Sequence, residues 1–271
     1  MAGVKEEPRG RIQERIEAAA AESGGGVLAF DGDGTLWSGD VGEDFFEALL
    51  EEGVFSRAAD ERFRAEASGF GLPSRGTSVE VLRGLFRGYQ EGEVPEERMC
   101  EIMAWAPAGI EEPRLASFCD AVIEKVGLGA RLHPEAVSVL GWALSRGLEV
   151  FLVSASPRPI VLAAARSLGF PEDRVVAATA ASDPAGTGLP EVLRPIPYGP
   201  GKVARLRERA RIERGTRPLL AAFGDNVFDL AMLAEACVPV AVRPKARLRD
   251  RAGELPALVA IVREDRGVVD T

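Results

Sequence analysis

The sequence predicts an α/β protein: a doubly wound parallel sheet with an all-helical segment inserted after its first strand. Three observations point there. From residue 134 onward, short apolar runs alternate with stretches of helical periodicity. A similar apolar run, residues 27–30, stands apart near the N-terminus. Between the two, residues 41–129 show helical periodicity and no convincing strand.

Ile12, Ile16 and Ala19 mark a short amphipathic helix over 11–22, and Gly24-Gly25-Gly26 stops it. Val27-Leu28-Ala29-Phe30 fits a buried strand that ends at Asp31. Phe45, Phe46, Leu49 and Leu50 then form a helical stripe, and segments 77–90, 95–104 and 114–126 repeat the pattern between Gly and Pro residues. Pro134 suits a helical first turn, and that helix runs to Ser145. Strands follow at 149–153, 175–178, 219–223 and 238–242, with helices at 158–168, 202–214 and 227–236. The Pro- and Gly-rich stretch 183–201 reads as a loop with at most a short hairpin. The expected organisation is a Rossmann-like core of residues 1–40 and 130–271, with a helical unit over 41–129.

The 271 residues carry a net charge of −9, are 46% hydrophobic and 28% charged, and so contain enough apolar material for a sizeable core. An acidic chain is a poor general binder of nucleic acid, which demands clustered Lys and Arg. Three widely spaced cysteines without a CxxC pair read as reduced thiols. The charged N-terminus and the absence of a long uncharged apolar run predict a cytoplasmic protein with no membrane partner.

In doubly wound sheets the ligand sits beyond the carboxyl ends of the strands. The first strand is followed there by Asp31-Gly32-Asp33-Gly34-Thr35, the second by Ser154-Ala155-Ser156, and the fourth by Gly224-Asp225-Asn226-Val227-Phe228-Asp229. Lys202 opens a helix after a Gly-Pro-Gly turn. Asp31, Asp33 and Asp225 supply the hard oxygen ligands that magnesium prefers, and packed carboxylates repel one another without a cation. A carboxylate can attack a phosphoryl group. Ser154 and neighbouring backbone N–H groups, such as that of Ala155, can donate to phosphoryl oxygens, and Lys202 adds a fixed positive charge.

D-x-D-x-T after a strand, Ser after the next, a later Lys and G-D-x-x-x-D resemble the four motifs of haloacid dehalogenase superfamily phosphatases, over about residues 26–40 and 130–243. The resemblance implies Asp31 as nucleophile, Asp33 as general acid then base, Thr35 and Ser154 on the phosphoryl group, and Lys202 against Asp31 and the phosphate. It implies a magnesium site built from Asp225, the Asp31 carboxylate and the Asp33 backbone carbonyl, with Asp229 supporting the metal or Lys202. The position of the insertion is similar to the helical-cap branch containing phosphoserine and phosphocholine-type phosphatases. Phosphoserine phosphatases carry a Glu in the flap that meets the substrate ammonium. Asp40 or Glu43 is the corresponding candidate, and Trp37 a further pocket candidate. The implied substrate is a small phosphorylated metabolite, with an amino or trimethylammonium head group. Phe228 stands where phosphoserine phosphatases carry Asn, which sets phosphoserine itself apart. A phosphotransferase of the same superfamily and an inactive phosphate- or magnesium-binding regulatory module are the alternatives.

Other readings of these residues fit less well. An EF-hand loop starting at Asp31 would need Glu at its twelfth position, which is Gly42, and a P-loop ending at Lys202 would need Gly at Ile196 and Ser or Thr at Val203. His133, the only histidine, reads as a capping or surface residue, and Ser156 as a helix cap before Pro157. The basic runs Arg205, Arg207, Arg209, Arg211, Arg214 and Arg243, Lys245, Arg247, Arg249, Arg251 read as solvated helix faces or as a field around an anionic substrate.

Overall fold

The computed structural model describes residues 4–212 and 217–264. A short strand β1 (Lys5–Glu7) leads into α1 (Arg9–Ser23), which buries Ile12 and Ile16. The wholly buried β2 (Val27–Asp31) follows. Five helices come next: α2 (Val41–Glu52), α3 (Arg57–Gly69), α4 (Ser78–Gln90), α5 (Glu96–Trp105) and α6 (Glu112–Lys125). Asp40, Ser56 and Thr77 cap α2, α3 and α4 by accepting backbone N–H groups three residues on, which satisfies donors that a helix start leaves free.

The chain returns through α7 (Pro134–Ser145), β3 (Glu149–Pro157), α8 (Arg158–Ser167) and β4 (Val175–Ala178). A hairpin, β5 (Ala180–Ser182) and β6 (Gly188–Val192), precedes α9 (Pro200–Ala210). Then come β7 (Leu219–Gly224), a 3-10 turn at Val227–Asp229, α10 (Leu230–Glu235), β8 (Val238–Ala241), α11 (Ala246–Asp250) and β9 (Val259–Ile261).

The main sheet has seven parallel strands in the order β1-β9-β8-β7-β2-β3-β4. Alternation along the central strands sorts side chains between two cores: Leu28, Phe30, Val150 and Leu152 face one layer, Val27, Ala29, Phe151 and Val153 the other. The first layer includes α1, α7, α8 and most of the inserted helices; the second is built from α9, α10 and α11. β2 lies between β3 and β7, with Asp31 beside Val153 and Phe30 beside Phe223, so the three strand ends open onto one place. The rings of Phe30 and Phe223 stack at 4.1 Å directly beneath it.

Two strands were not foreseen. Lys5–Glu7 reads as charged coil and is held at the sheet edge by pairing with β9, whereas Val259–Ile261 is a buried apolar run of only three residues, paired with both β1 and β8. The helical segment therefore follows the second strand of the chain, not the first. Its exit and return run side by side: Ser38 N–H donates to the Arg131 carbonyl and His133 N–H to the Leu36 carbonyl, both at 2.9 Å. Residues 41–129 contain no strand, as expected from their periodicity.

The inserted helices lean on the core in two places. α2 and α6 pack against α8, and α5 packs against β3 and the β5–β6 hairpin. Arg98 on α5 bridges Glu66 and Glu101, and Arg194, just past the hairpin, donates to Glu101 at 2.6 Å. Among the described residues no helix is long and apolar enough to cross a membrane.

Candidate active site

A cavity of about 480 Å³ lies at the carboxyl ends of β2, β3 and β7, roofed by side chains from α2, α4 and α5. Asp31, the last residue of β2, is its chemical centre. One carboxylate oxygen accepts the Thr35 hydroxyl at 2.9 Å and the other accepts the Lys202 ammonium at 2.6 Å. The buried Lys202, on the first turn of α9, also donates to Asp229 at 2.5 Å. The second oxygen of Asp229 accepts the backbone N–H groups of Asp225 and Asn226, both at 3.0 Å. This explains the G-D-x-x-x-D spacing: the turn after β7 folds back so that its last carboxylate ties its own start. A Cβ on Gly224 would fall 2.5 Å from Asp229 Cβ, which excludes any larger residue. At Gly34, φ is +84° and a Cβ would lie 2.2 Å from Asp225, so only glycine lets the turn approach that carboxylate.

Oxygens of Asp31, Asp225 and Asp229 all lie within 4.8 Å of one another. Burial, then the neighbouring Asp229 charge, pushes Asp31 well above the usual carboxylate range and Asp225 up to about 6. Burial opposes the charge of Lys202, but Asp229 and Asp31 outweigh it and hold the ammonium protonated. Three hard oxygen donors that repel one another fit a divalent cation such as magnesium, which would neutralise them.

The Asp33 carboxylate points elsewhere. Its Oδ1 accepts the Trp37 indole N–H and the Val41 backbone N–H, both at 2.8 Å. Its Oδ2 accepts the hydroxyls of Ser156 at 2.7 Å and Ser154 at 3.3 Å. It lines the cavity, but its side chain stands outside the three-carboxylate cluster.

Several expectations need correction. Trp37 is fully buried and does not line the cavity; its indole positions Asp33 instead. Thr35 and Ser154 are likewise buried behind the wall, with hydroxyls directed at Asp31 and Asp33, while Ala155 and Ser156 form the lining. Ser156 is not a helix cap: Pro157 holds that position, and the Ser156 hydroxyl bonds Asp33. His133 does take the N-cap position of α7, but it is buried rather than at the surface, and its Nδ1–H donates to the Thr35 carbonyl at 3.0 Å instead of capping the helix. The basic runs are mostly engaged at the surface, as with Arg205–Glu208, Arg207–Glu235 and Arg251–Glu254; Arg214 lies outside the described residues. Lys245 departs from them. It lines the cavity and pairs with Asp225 at 2.9 Å.

The far half of the cavity carries Asp40 and Glu43 from α2, Tyr89 from α4, Glu96 and Cys100 from α5, and Tyr198 with Phe228 from the core. Tyr89 donates to Glu43 at 3.3 Å, and the rings of Tyr198 and Phe228 meet at 4.4 Å. Burial, and secondarily Asp33, pushes Asp40 up to about 8; Glu43 and Glu96 are raised too, chiefly by burial. Only Asp40 and Glu43 were candidates from the sequence. Helical periodicity placed Tyr89 and Glu96 on helices without showing what they would face.

A family model described as haloacid dehalogenase-like hydrolase matches residues 28–234. Among solved structures, a protein of unknown function from Bordetella pertussis Tohama I aligns with a TM-score of 0.66 at 22% identity, over 88% of this chain and 99% of that one. A conserved protein of unknown function from Anaerococcus prevotii DSM 20548 aligns at 0.64 and 17%, over 96% and 93%. A substrate-bound phosphoserine phosphatase aligns at 0.51 and 15%, over 89% and 94%. These likenesses show a shared fold. Comparison with curated proteins returned no match.

Proposed function

The chain belongs to the haloacid dehalogenase-like hydrolases, and from that premise we propose that it hydrolyses a small phosphomonoester through a phosphorylated Asp31. The observation that carries the reading is the convergence of Asp31, Lys202, Asp225 and Asp229 in one buried cluster at the cavity floor.

Asp31 attacks phosphorus while the ester oxygen departs, and a protonated Asp33, which lines the same cavity, delivers its proton to that oxygen. Asp33 then takes a proton from the water that cleaves the aspartyl phosphate, releasing inorganic phosphate and regenerating Asp31. Thr35 and Lys202 orient the two Asp31 oxygens, and Lys202 offsets phosphoryl charge. A magnesium ion held by Asp31, Asp225 and Asp229 would supply further neutralisation of the phosphoryl oxygens. Trp37, Val41 N–H, Ser154 and Ser156 fix the Asp33 carboxylate for proton transfer.

The far half of the cavity supports an ester with a cationic head group. Carboxyls of Asp40, Glu43 and Glu96 stand beside Tyr89, Tyr198 and Phe228, a lining that suits an amine or trimethylammonium. The test is a panel of phosphorylated metabolites, cationic and neutral, assayed for phosphate release with magnesium and with EDTA. Release that ignores EDTA, or none from any ester including para-nitrophenyl phosphate, defeats the reading.

A further inference from the structure

We infer that Lys245 is an exchanging counterion of this site: its ammonium holds Asp225 until a divalent cation takes that carboxylate, and then turns to the phosphoryl group of the bound ester. The inference rests on the phosphatase reading above.

The two lysines of the cavity are held differently. Lys202 is 5% exposed at its side chain and gripped by two carboxylates. Lys245 is 57% exposed at its side chain, and among the described residues its ion pair is with Asp225 alone. Its root is fixed, because its backbone N–H donates to the Asp225 carbonyl at 2.8 Å. The side chain can therefore swing within the cavity while the residue stays in place. The two cations nearest along the chain are otherwise engaged: Arg247 is laid over the Phe228 ring at 5.0 Å, and Arg243 pairs with Glu135 at 2.6 Å.

Charge balance makes the exchange favourable. Asp31, Asp225 and Asp229 carry three negative charges in their ionised forms, and Lys202 cancels one. The two that remain match a divalent cation. Once it binds, the Lys245 charge is surplus at the cluster and sits beside a strong positive neighbour that repels it. The phosphoryl group of a monoester brings two negative charges near neutrality, at the same end of the cavity that Lys245 lines. Lys245 thus competes with the metal for Asp225 and cooperates with it toward the phosphate, one side chain coupling two binding events.

Calorimetric titration of magnesium into the full chain, without substrate, tests the first half. K245M is expected to bind magnesium about tenfold more tightly than the wild type, since an intramolecular competitor is gone, while K245R stays close to wild type. Titration of inorganic phosphate into the magnesium-saturated proteins tests the second half, with K245M binding about tenfold more weakly. Equal or weaker magnesium binding by K245M, or unchanged phosphate binding, overturns the inference, as does a wild type with no magnesium affinity. Circular dichroism checks the fold, and K245Q carries the same test if K245M does not fold. These readouts are binding constants. A chain that exchanges as described but hydrolyses no ester sinks the phosphatase reading alone; hydrolysis with indistinguishable magnesium affinities sinks only the role of Lys245.

Discussion

The fully buried indole of Trp37 donates a 2.8 Å hydrogen bond to Asp33, tying the segment after β2 to the carboxylate proposed as the acid. Val41 N–H reaches the same oxygen from the start of α2, so the first inserted helix and the Asp33 carboxylate are fixed together. Trp37→Phe keeps most of the packing and removes the bond. Stability should fall by about 1 kcal/mol in urea denaturation. Turnover should fall more for alkyl than for aryl phosphates, because only the poorer leaving group depends on a well-placed proton. An equal loss on both would show that the indole serves packing alone.

Asp31→Asn and Asp33→Asn separate the two halves of the chemistry. The first should reduce turnover by at least about 10⁴-fold on every ester, since the amide of asparagine cannot act as the attacking carboxylate. The second should slow alkyl phosphates by roughly 10²–10⁴-fold while sparing para-nitrophenyl phosphate much of that loss. A leaving-group series for each variant provides the check; parallel losses across the series would remove Asp33 from the acid role.

Lys202→Met leaves Asp31 and Asp229 buried without their shared cation. Breaking a buried pair by deleting one partner costs about 3 kcal/mol or more. Thermal melts in EDTA should show a marked drop in Tm relative to wild type. Millimolar magnesium should restore more of the loss in the variant than it adds to the wild type, because the metal takes over the missing neutralisation. Identical magnesium shifts in both proteins would contradict a common cation site at Asp31, Asp225 and Asp229.

The residues that could be located in the sequence are those whose positions are set locally. Asp31 ends and Asp225 follows a buried apolar strand, Ser154 comes directly after the apolar run Val150–Val153 within β3, and Asp229 must sit four residues after Asp225 to reach back to its N–H. Lys202 needed only its place at a helix start after a Gly-Pro-Gly turn. Residues whose role depends on packing between distant segments were not legible. Tyr89 meets Glu43 only once α2 and α4 are stacked. His133 finds the Thr35 carbonyl only because the exit and return strands of the inserted segment run side by side. Lys245 looked like one of five alternating basic residues, and nothing local marks it as the one that pairs with Asp225. β1 escaped because Lys-Glu-Glu has no strand pattern; its pairing with β9 comes from the rest of the sheet.

Asp40 offers a test through pH. Burial, followed by the Asp33 charge, raises its carboxyl from an ordinary 3.8 to about 8 in the folded chain. Between those values the native state keeps a proton that the unfolded chain has released, so folding stability contributed by Asp40 is full below 3.8 and is lost as pH rises through about 8. Asp40→Asn mimics the protonated side chain and can still accept the Glu43 N–H that caps α2, now bonded at 2.9 Å. Wild type and variant should therefore have similar stability at acidic pH, and the variant should gain by about 1 kcal/mol or more by pH 9, measured by urea denaturation across the range. A cationic ester is attracted to Asp40 only once that carboxyl has ionised. KM for amine-bearing esters should thus fall as pH rises through about 8, while KM for neutral esters does not follow. A stability difference that stays constant with pH would mean that Asp40 ionises normally, and the proposed head-group contact would then have to rest on Glu43 and Glu96.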